Sequence, residues 1–413
     1  MVGVDMVPMK ILLVICDGMA DRPSNELNGM TPLESAEVPN MDRLAREGQT
    51  GLMDVIAPGI VPGSDTAHLA LLGYDPMVVY TGRGPFEAAG EGVEVRKGDV
   101  AFRCNFATVD AKMHVTDRRA GRISSGTDQL AAALNGMKIE DIEIIFKQGV
   151  DHRAVLVLRG PGLSPWVNEV DPHHEGKILE SKGLEPEDEK TARILNEFTR
   201  RSYEILDKHP VNQARVKNGK SPANIALARG SGSPPEVPSF SEQHHGLNGA
   251  AVVGISLVRG LCDLSGLEII PVKGATGSTD TDLEAKARAA VKALETYDFV
   301  LLHFKAPDLY GHDGDAPGKA AFIEKIDLAL GEMLANLKDT VVCITADHAT
   351  PCSVMDHASD PVPVLIWGTG LRHDITECFN ELEAGTGGLG HIRGHELMNL
   401  LTGLAGRNPK FGA

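Results

Sequence analysis

Residues 10–17 read KILLVICD: an unbroken apolar run from Ile11 to Cys16 that passes directly into an acidic residue, Asp17. A continuous apolar stretch this short marks a strand buried on both faces rather than one with a wet side. The same form recurs in YDFVLLHF (297–304), TVVCITAD (340–347) and PVPVLIWG (361–368). Between the second and third of these, residues 318–339 carry Ile323, Ile326, Leu330, Met333 and Leu337 at helical spacing. Buried strands alternating with amphipathic helices predict an α/β fold, a mostly parallel sheet covered by helices on both faces.

The middle of the chain has a different texture. EVRKGDVAFRCNFATVD (94–110) alternates as a half-exposed strand does, and VDHRAVLVLRG (150–160) reads as a second such strand. A polar stretch, 173–190, leads into a long helical run at 191–209. ARGSGSPPEVPSFSEQHHG (228–246) is rich in Gly, Ser and Pro and reads as a linker. At 413 residues the chain is long for one core. The economical parse is a discontinuous α/β domain, 1–92 with 240–413, interrupted by an α+β insert at 93–239.

Composition narrows the function. Hydrophobic residues make up 42% and charged residues 23%, which suits packed, water-soluble domains. No apolar run approaches the roughly 20 residues that span a bilayer, so no membrane partner is expected. The segment ahead of Ile11 lacks a basic start and a cleavage site and does not read as a signal peptide; its first eight residues read as a loose extension. The balance of 40 basic against 57 acidic residues gives a net charge of −17, which argues against nucleic-acid binding. Six scattered cysteines without CxxC spacing suggest neither disulfides nor a thiolate site, and fit a cytoplasmic location.

Chemistry concentrates where the strands end. The first runs into Asp17. The second is followed by Asp308 and His312, the third by Asp347 and His348, and His357 comes nine residues after His348. Functional groups of open α/β sheets gather beyond the carboxyl ends of the strands. Three carboxylates and three imidazoles brought together there repel unless cations bind, and mixed Asp/His ligation suits divalent metals, two rather than one. Mn²⁺, Zn²⁺, Co²⁺ and Mg²⁺ all stay open as the ion. Ser64, in PGSDTAHLALLG, is the candidate nucleophile: Gly63 permits a tight turn, and a serine opening a helix sets a transferred phosphate beside free N–H groups. A bound metal would lower its hydroxyl pKa. Singly, each feature has a plainer reading, since Asp17 could be a helix cap and His357 a loop histidine. Their ordered recurrence at strand ends favours the site.

That ordered set, CDG, GSDTAH, APDLYGHDGD, TADH and a later His, resembles the alkaline phosphatase superfamily, and within it the archaeal-type cofactor-independent phosphoglycerate mutases. The resemblance runs over nearly the whole chain, through TPLESAEVPNMDRLAREG (31–48), TGRGPFEAAG (81–90), DRRAGRI (117–123) and GATGSTDTD (274–282). It implies an alkaline-phosphatase-like sheet, two divalent metals, and a mobile insert that holds a small phosphoglycerate. Asp308, His312 and His357 would hold one metal; Asp17, Ser64, Asp347 and His348 the other. The implied reaction interconverts 3- and 2-phosphoglycerate through phosphoserine on Ser64, without 2,3-bisphosphoglycerate.

In the insert, Asp117, Arg118, Arg119 and Arg122 share one loop, with Arg103 and His114 as flanking candidates. Arginine suits phosphate and carboxylate recognition, although a short basic run is often only a solvated loop. A phosphopentomutase, a metal-dependent phosphomonoesterase and a non-catalytic phosphometabolite-binding protein remain alternatives. A sulfatase fits less well, because Ser64 is followed by DTAH. The oligomeric state, a homo-oligomer included, stays open.

Overall fold

The structure is a computed structural model that describes residues 8–334 and 337–412. The expected N-terminal extension lies, apart from Pro8, outside the described residues. The chain divides into two compact units, residues 1–79 with 237–413 and residues 80–236.

The first unit contains, among the described residues, an eight-stranded sheet. Its order is Glu268–Ile269, Gly249–Val252, Phe299–Phe304, Lys10–Cys16, Thr340–Thr345, Val362–Trp367, Gln49–Asp54 and Gly390–Arg393. Lys10–Cys16 is central and parallel to both neighbours, with Leu13 opposite Leu301 and Cys343. Flanked on each edge, and with Ile11 to Cys16 all inaccessible to water, it has no wet face. That is why the run is apolar without alternation. Only Val362–Trp367 runs antiparallel to its neighbours, so the sheet is mixed but mostly parallel. Helices Leu283–Leu294 and Pro39–Glu47 pack on Phe299–Phe304 and Val362–Trp367 respectively.

The helix at Ala316–Leu334 buries Ile323, Ile326, Leu330 and Met333 as their spacing predicts; Leu337 lies past its described end. Its fully buried Asp327 accepts from the backbone N–H groups of Asn40 (3.2 Å) and Met41 (2.8 Å). Those donors open the Pro39–Glu47 helix, whose own N-cap residue, Val38, supplies no side-chain acceptor. A remote carboxylate thus does the work of an N-cap.

The second unit is built on an antiparallel sheet centred on Val100–Val109, which pairs with Arg153–Arg159, Ile225–Gly232 and His114–Asp117. The strand expected to be half exposed is instead buried along its length except at Arg103. One face (Phe102, Cys104, Phe106) joins the main core with Phe198 of the Glu189–Leu206 helix. On the other face Ala101 packs with Ala88, Val155 and Val157. Ala88 belongs to the helix Gly84–Gly90, which therefore groups with this unit although it lies before residue 92. Gly84 makes that approach feasible: a Cβ there would stand 2.0 Å from the Ala101 carbonyl oxygen. The expected linker at 228–246 is structured in part: 228–232 belong to the strand Ile225–Gly232 and Phe240–Gln243 is a short helix, while 233–239 form no regular element and contain the boundary between the units. Gly230, Ser231 and Gly232 sit within the strand, so composition misled over its start.

Candidate metal centre and anion site

Asp17, Asp308 and Asp347 each follow a parallel strand of the central trio, so all three arrive at the carboxyl edge of the sheet. Two groups have ligand atoms mutually within 4.8 Å: Asp308 with His312 and His357, and Asp17 with Asp308 and His348. Asp308 is common to both. The turn after Asp17 needs glycine, because Gly18 has φ +63° and a Cβ there would meet the Thr350 hydroxyl at 2.6 Å and Asp308 Cβ at 2.7 Å. Its N–H donates to Asp347 Oδ1 at 3.1 Å.

The imidazoles are oriented from behind. Carbonyl oxygens can only accept, so Nδ1–H of His312 donates to Met355 O (3.0 Å) and Nδ1–H of His357 to Pro62 O (2.8 Å). The Thr350 hydroxyl spends its proton on Asp308 Oδ1 (2.8 Å), which leaves it to accept from His348 Nδ1 (3.0 Å). In the neutral ring each Nε2 then carries a lone pair. Those lone pairs face carboxylate oxygens: His312 and His357 look at Asp308 Oδ1 (3.4 and 3.5 Å), and His348 at Asp347 Oδ2 (3.3 Å) and Asp17 Oδ1 (3.5 Å). Lone pairs aimed at carboxylates at this separation are stable only with a proton or cation between them. Carbonyl- or hydroxyl-anchored Nδ1–H with Nε2 free is the arrangement of metal-binding histidines. The donor set fits divalent cations.

Electrostatics point the same way. Burial and then the Asp17 charge push Asp347 well above the usual carboxylate range, and its Oδ2 has no hydrogen-bond partner. Burial would also raise Asp17, but the Lys305 ammonium and the His303 hydrogen bond hold it below the ordinary value. Asp308 is likewise depressed, against its burial, by His357 and Lys305. Burial keeps His348 neutral. For His357 the Asp308 and Pro62 contacts outweigh burial and raise its pKa.

Ser64 opens the helix Ser64–Leu71, only 6% exposed, with Oγ 3.3 Å from His348 Nε2. Three residues here were not singled out from sequence. Lys305 Nζ lies 2.9 Å from Asp17 Oδ1 and 2.6 Å from Asp308 Oδ2. His303 Nε2 donates to Asp17 Oδ2 at 2.9 Å. His68 Nδ1 donates to Ser64 O at 2.7 Å, and burial lowers its pKa to about 3. The sequence signals are slight: polar residues inside HFKAPD and one turn into the Ser64 helix.

In the second unit the predicted residues separate into different jobs. Asp117 accepts from the N–H groups of Arg119 (2.8 Å) and Gly121 (2.6 Å), which folds its own loop. Arg119 and Arg122 are exposed. His114 stands 3.5 Å from Asp110 across a turn. Arg118 forms a two-pronged pair with buried Asp171 (3.1 and 2.7 Å). Arg103 lies directly opposite Arg229 on the neighbouring strand. Burial lowers Arg103 to about 9; Glu87 opposes this, and the charges of Arg83, Arg229 and Arg153 add to it. Arg229 is lowered by burial and by Arg118 and Arg83, with Asp171 opposing. Nε of Arg103 and Nε of Arg229 are buried without a hydrogen-bond partner, although Arg103 stands 3.8 Å from Glu87 and Arg229 3.7 Å from Asp171. Like charges facing across a ladder destabilise it, and Glu87 and Asp171 offset part of that cost here. The sequence missed Arg83, Arg153 and Arg229 because only tertiary structure brings them near Arg103: Arg229 by strand register, Arg153 from the strand on the other edge, and Arg83 from the start of the Gly84–Gly90 helix.

Fold and centre together define a class: a mixed α/β protein with an Asp/His cluster that could hold a metal ion and a serine at a helix start. Residues 45–212 match the family model for 2,3-bisphosphoglycerate-independent phosphoglycerate mutase. Proteins of that name from Methanothermobacter thermautotrophicus and Methanopyrus kandleri are both 51% identical; the matches cover 98% of this chain and 100% and 98% of theirs. A solved structure from Pyrococcus horikoshii is similar at TM-score 0.88 and 41% identity, over 99% of this chain and 100% of that one. The cofactor-independent phosphoglycerate mutase of Thermoplasma acidophilum gives 0.74 and 38%, over 96% and 100%. The chain belongs to the 2,3-bisphosphoglycerate-independent phosphoglycerate mutase family.

Proposed function

We propose that the chain interconverts 3-phosphoglycerate and 2-phosphoglycerate through a phosphoserine on Ser64, in a reducing cytoplasm and without 2,3-bisphosphoglycerate. The observation that carries this is Ser64 Oγ, at a helix start, 3.3 Å from His348 Nε2 and beside the Asp17–Asp308–His348 group.

Two divalent cations are proposed: Asp308, His312 and His357 would hold one, and Asp17, Asp347, His348 and Ser64 the other. Bound there, they supply screening of phosphoryl charge and a lowered serine pKa. The protein contributes the rest. Ser64 Oγ attacks phosphorus and the glycerate oxygen leaves; the reverse attack by the other glycerate hydroxyl returns the phosphoryl group. The first turn of the Ser64 helix offers N–H groups and the positive dipole end to phosphate oxygens. Within the second unit, the arginine cluster (Arg103, Arg118, Arg229, Arg83 and Arg153) is proposed as an anion-binding group suited to a carboxylate.

The test is a coupled assay with 3-phosphoglycerate after EDTA treatment and after Mn²⁺ addition. Metal-restored formation of 2-phosphoglycerate with little phosphate release is expected. Phosphate release without isomerisation would make the chain a phosphatase instead. Ser64→Ala should abolish turnover, down by about 10³-fold or more, and remove the +80 Da phosphoserine species in mass spectra while the melting temperature stays unchanged.

A further inference from the structure

The Asp/His cluster contains a cation of its own. Lys305 follows the strand Phe299–Phe304 and turns its side chain into the centre, where it is only 16% exposed. Its Nζ reaches Asp17 Oδ1 at 2.9 Å and Asp308 Oδ2 at 2.6 Å. These carboxylates come from different strand ends, and Lys305 is the one lysine or arginine that contacts them among the described residues. Their remaining oxygens are taken: Asp17 Oδ2 by His303 Nε2 (2.9 Å), and Asp308 Oδ1 by the Thr350 hydroxyl (2.8 Å). The oxygen of Asp17 that Lys305 holds is also the one facing His348 Nε2 at 3.5 Å. A divalent ion binding among Asp17, Asp308 and His348 therefore seeks an oxygen already engaged by an ammonium. Two cations on one carboxylate oxygen repel strongly where water is scarce.

We propose that Lys305 is a built-in counter-ion: it holds the ligand carboxylates together before metal arrives, and it competes with the metal for Asp17 and Asp308. It is a positioning residue that sets how tightly the centre loads. Without it, three buried carboxylates would face one another with no opposing charge, and an isolated buried charge is costly. With it, the ligands wait in place, and binding releases the ammonium as the ion enters. The inference rests on the reading of the Asp/His cluster as a metal centre.

The experiment titrates Mn²⁺ calorimetrically into EDTA-stripped, full-length wild type, Lys305→Met and Lys305→Arg, with melting curves for each. Lys305→Met is expected to bind Mn²⁺ about tenfold tighter or more. Metal-free, it should melt several degrees lower, and saturated it should match wild type. Lys305→Arg, which keeps the counter-ion, should retain the metal-free melting temperature. Unchanged or weaker Mn²⁺ binding by a folded Lys305→Met would overturn the proposal. If that variant does not stay folded without metal, wild type decides. Acylation of the Lys305 amine, read by peptide mass, should rise severalfold on Mn²⁺ saturation, and no rise refutes displacement. Failure of wild type to bind Mn²⁺ at all would overturn the metal reading itself, and this one with it.

Discussion

Lys319 is fully buried in the first unit, yet every proton of its ammonium is used: on Asp21 Oδ2 (2.7 Å), Thr350 O (3.0 Å) and Ala20 O (3.3 Å). Asp21 in turn accepts from the Cys352 N–H at 3.1 Å. One ion pair thus ties residues 20–21, just past Asp17, to residues 350–352, just past His348. Lys319→Met fills the space with an apolar stem but strands the Asp21 carboxylate in an interior where it keeps only 7% exposure. Removing one partner of a buried pair costs about 3–5 kcal/mol. For a unit of this size that lowers the melting temperature by roughly 6–20 °C. Asp21→Asn should cost a similar amount, since it leaves the ammonium alone. The double variant, which buries no net charge, should cost clearly less than the two single changes summed. Thermal melts of the metal-free protein measure all three. A drop under about 3 °C for Lys319→Met, or strict additivity in the double variant, would refute the claim that this pair holds the two loops together.

Two further outcomes are expected beyond those given for Ser64 and Lys305. His244 is buried against Phe240, its Nε2–H donates to Leu72 O (2.8 Å), and burial lowers its pKa despite that bond. The folded protein keeps it neutral while the unfolded chain takes a proton below about 6.5, so this stability is present above that pH and lost as pH falls. Urea unfolding at pH 7 and pH 5.5 should show wild type losing about 1 kcal/mol more than His244→Gln; equal losses would exclude the effect. Arg229→Met should raise KM for phosphoglycerate at least about tenfold, because charge-assisted contacts to a carboxylate are strong. It removes both a cation facing Arg103 and a 3.7 Å pair with Asp171, opposing effects that should leave the melting temperature within a few degrees of wild type. Unchanged KM would remove Arg229 from the anion site.

Much was determined by sequence alone, wherever burial or chemistry is local to a segment. The run Ile11–Cys16 reads as a buried strand because it is short, apolar and β-branched and turns polar at once, and Asp17, Asp308 and Asp347 followed as strand-end acids. Ser64 was legible because a glycine and a helix start flank it. What tertiary structure alone decided are relations between distant segments. Val100–Val109 looked half exposed because Arg103 and Asn105 interrupt its apolar pattern, but strands on both edges and packing on both faces bury it. Arg229 sat in a stretch that composition marked as linker, and only its register opposite Arg103 gives it a role. Lys305 drew no reading from sequence, and only folding set its Nζ between two carboxylates 291 residues apart in the chain, Asp17 and Asp308. Periodicity reports which side of an element is buried; it carries no information on which charges from elsewhere will meet there, and at this centre those meetings decide the chemistry.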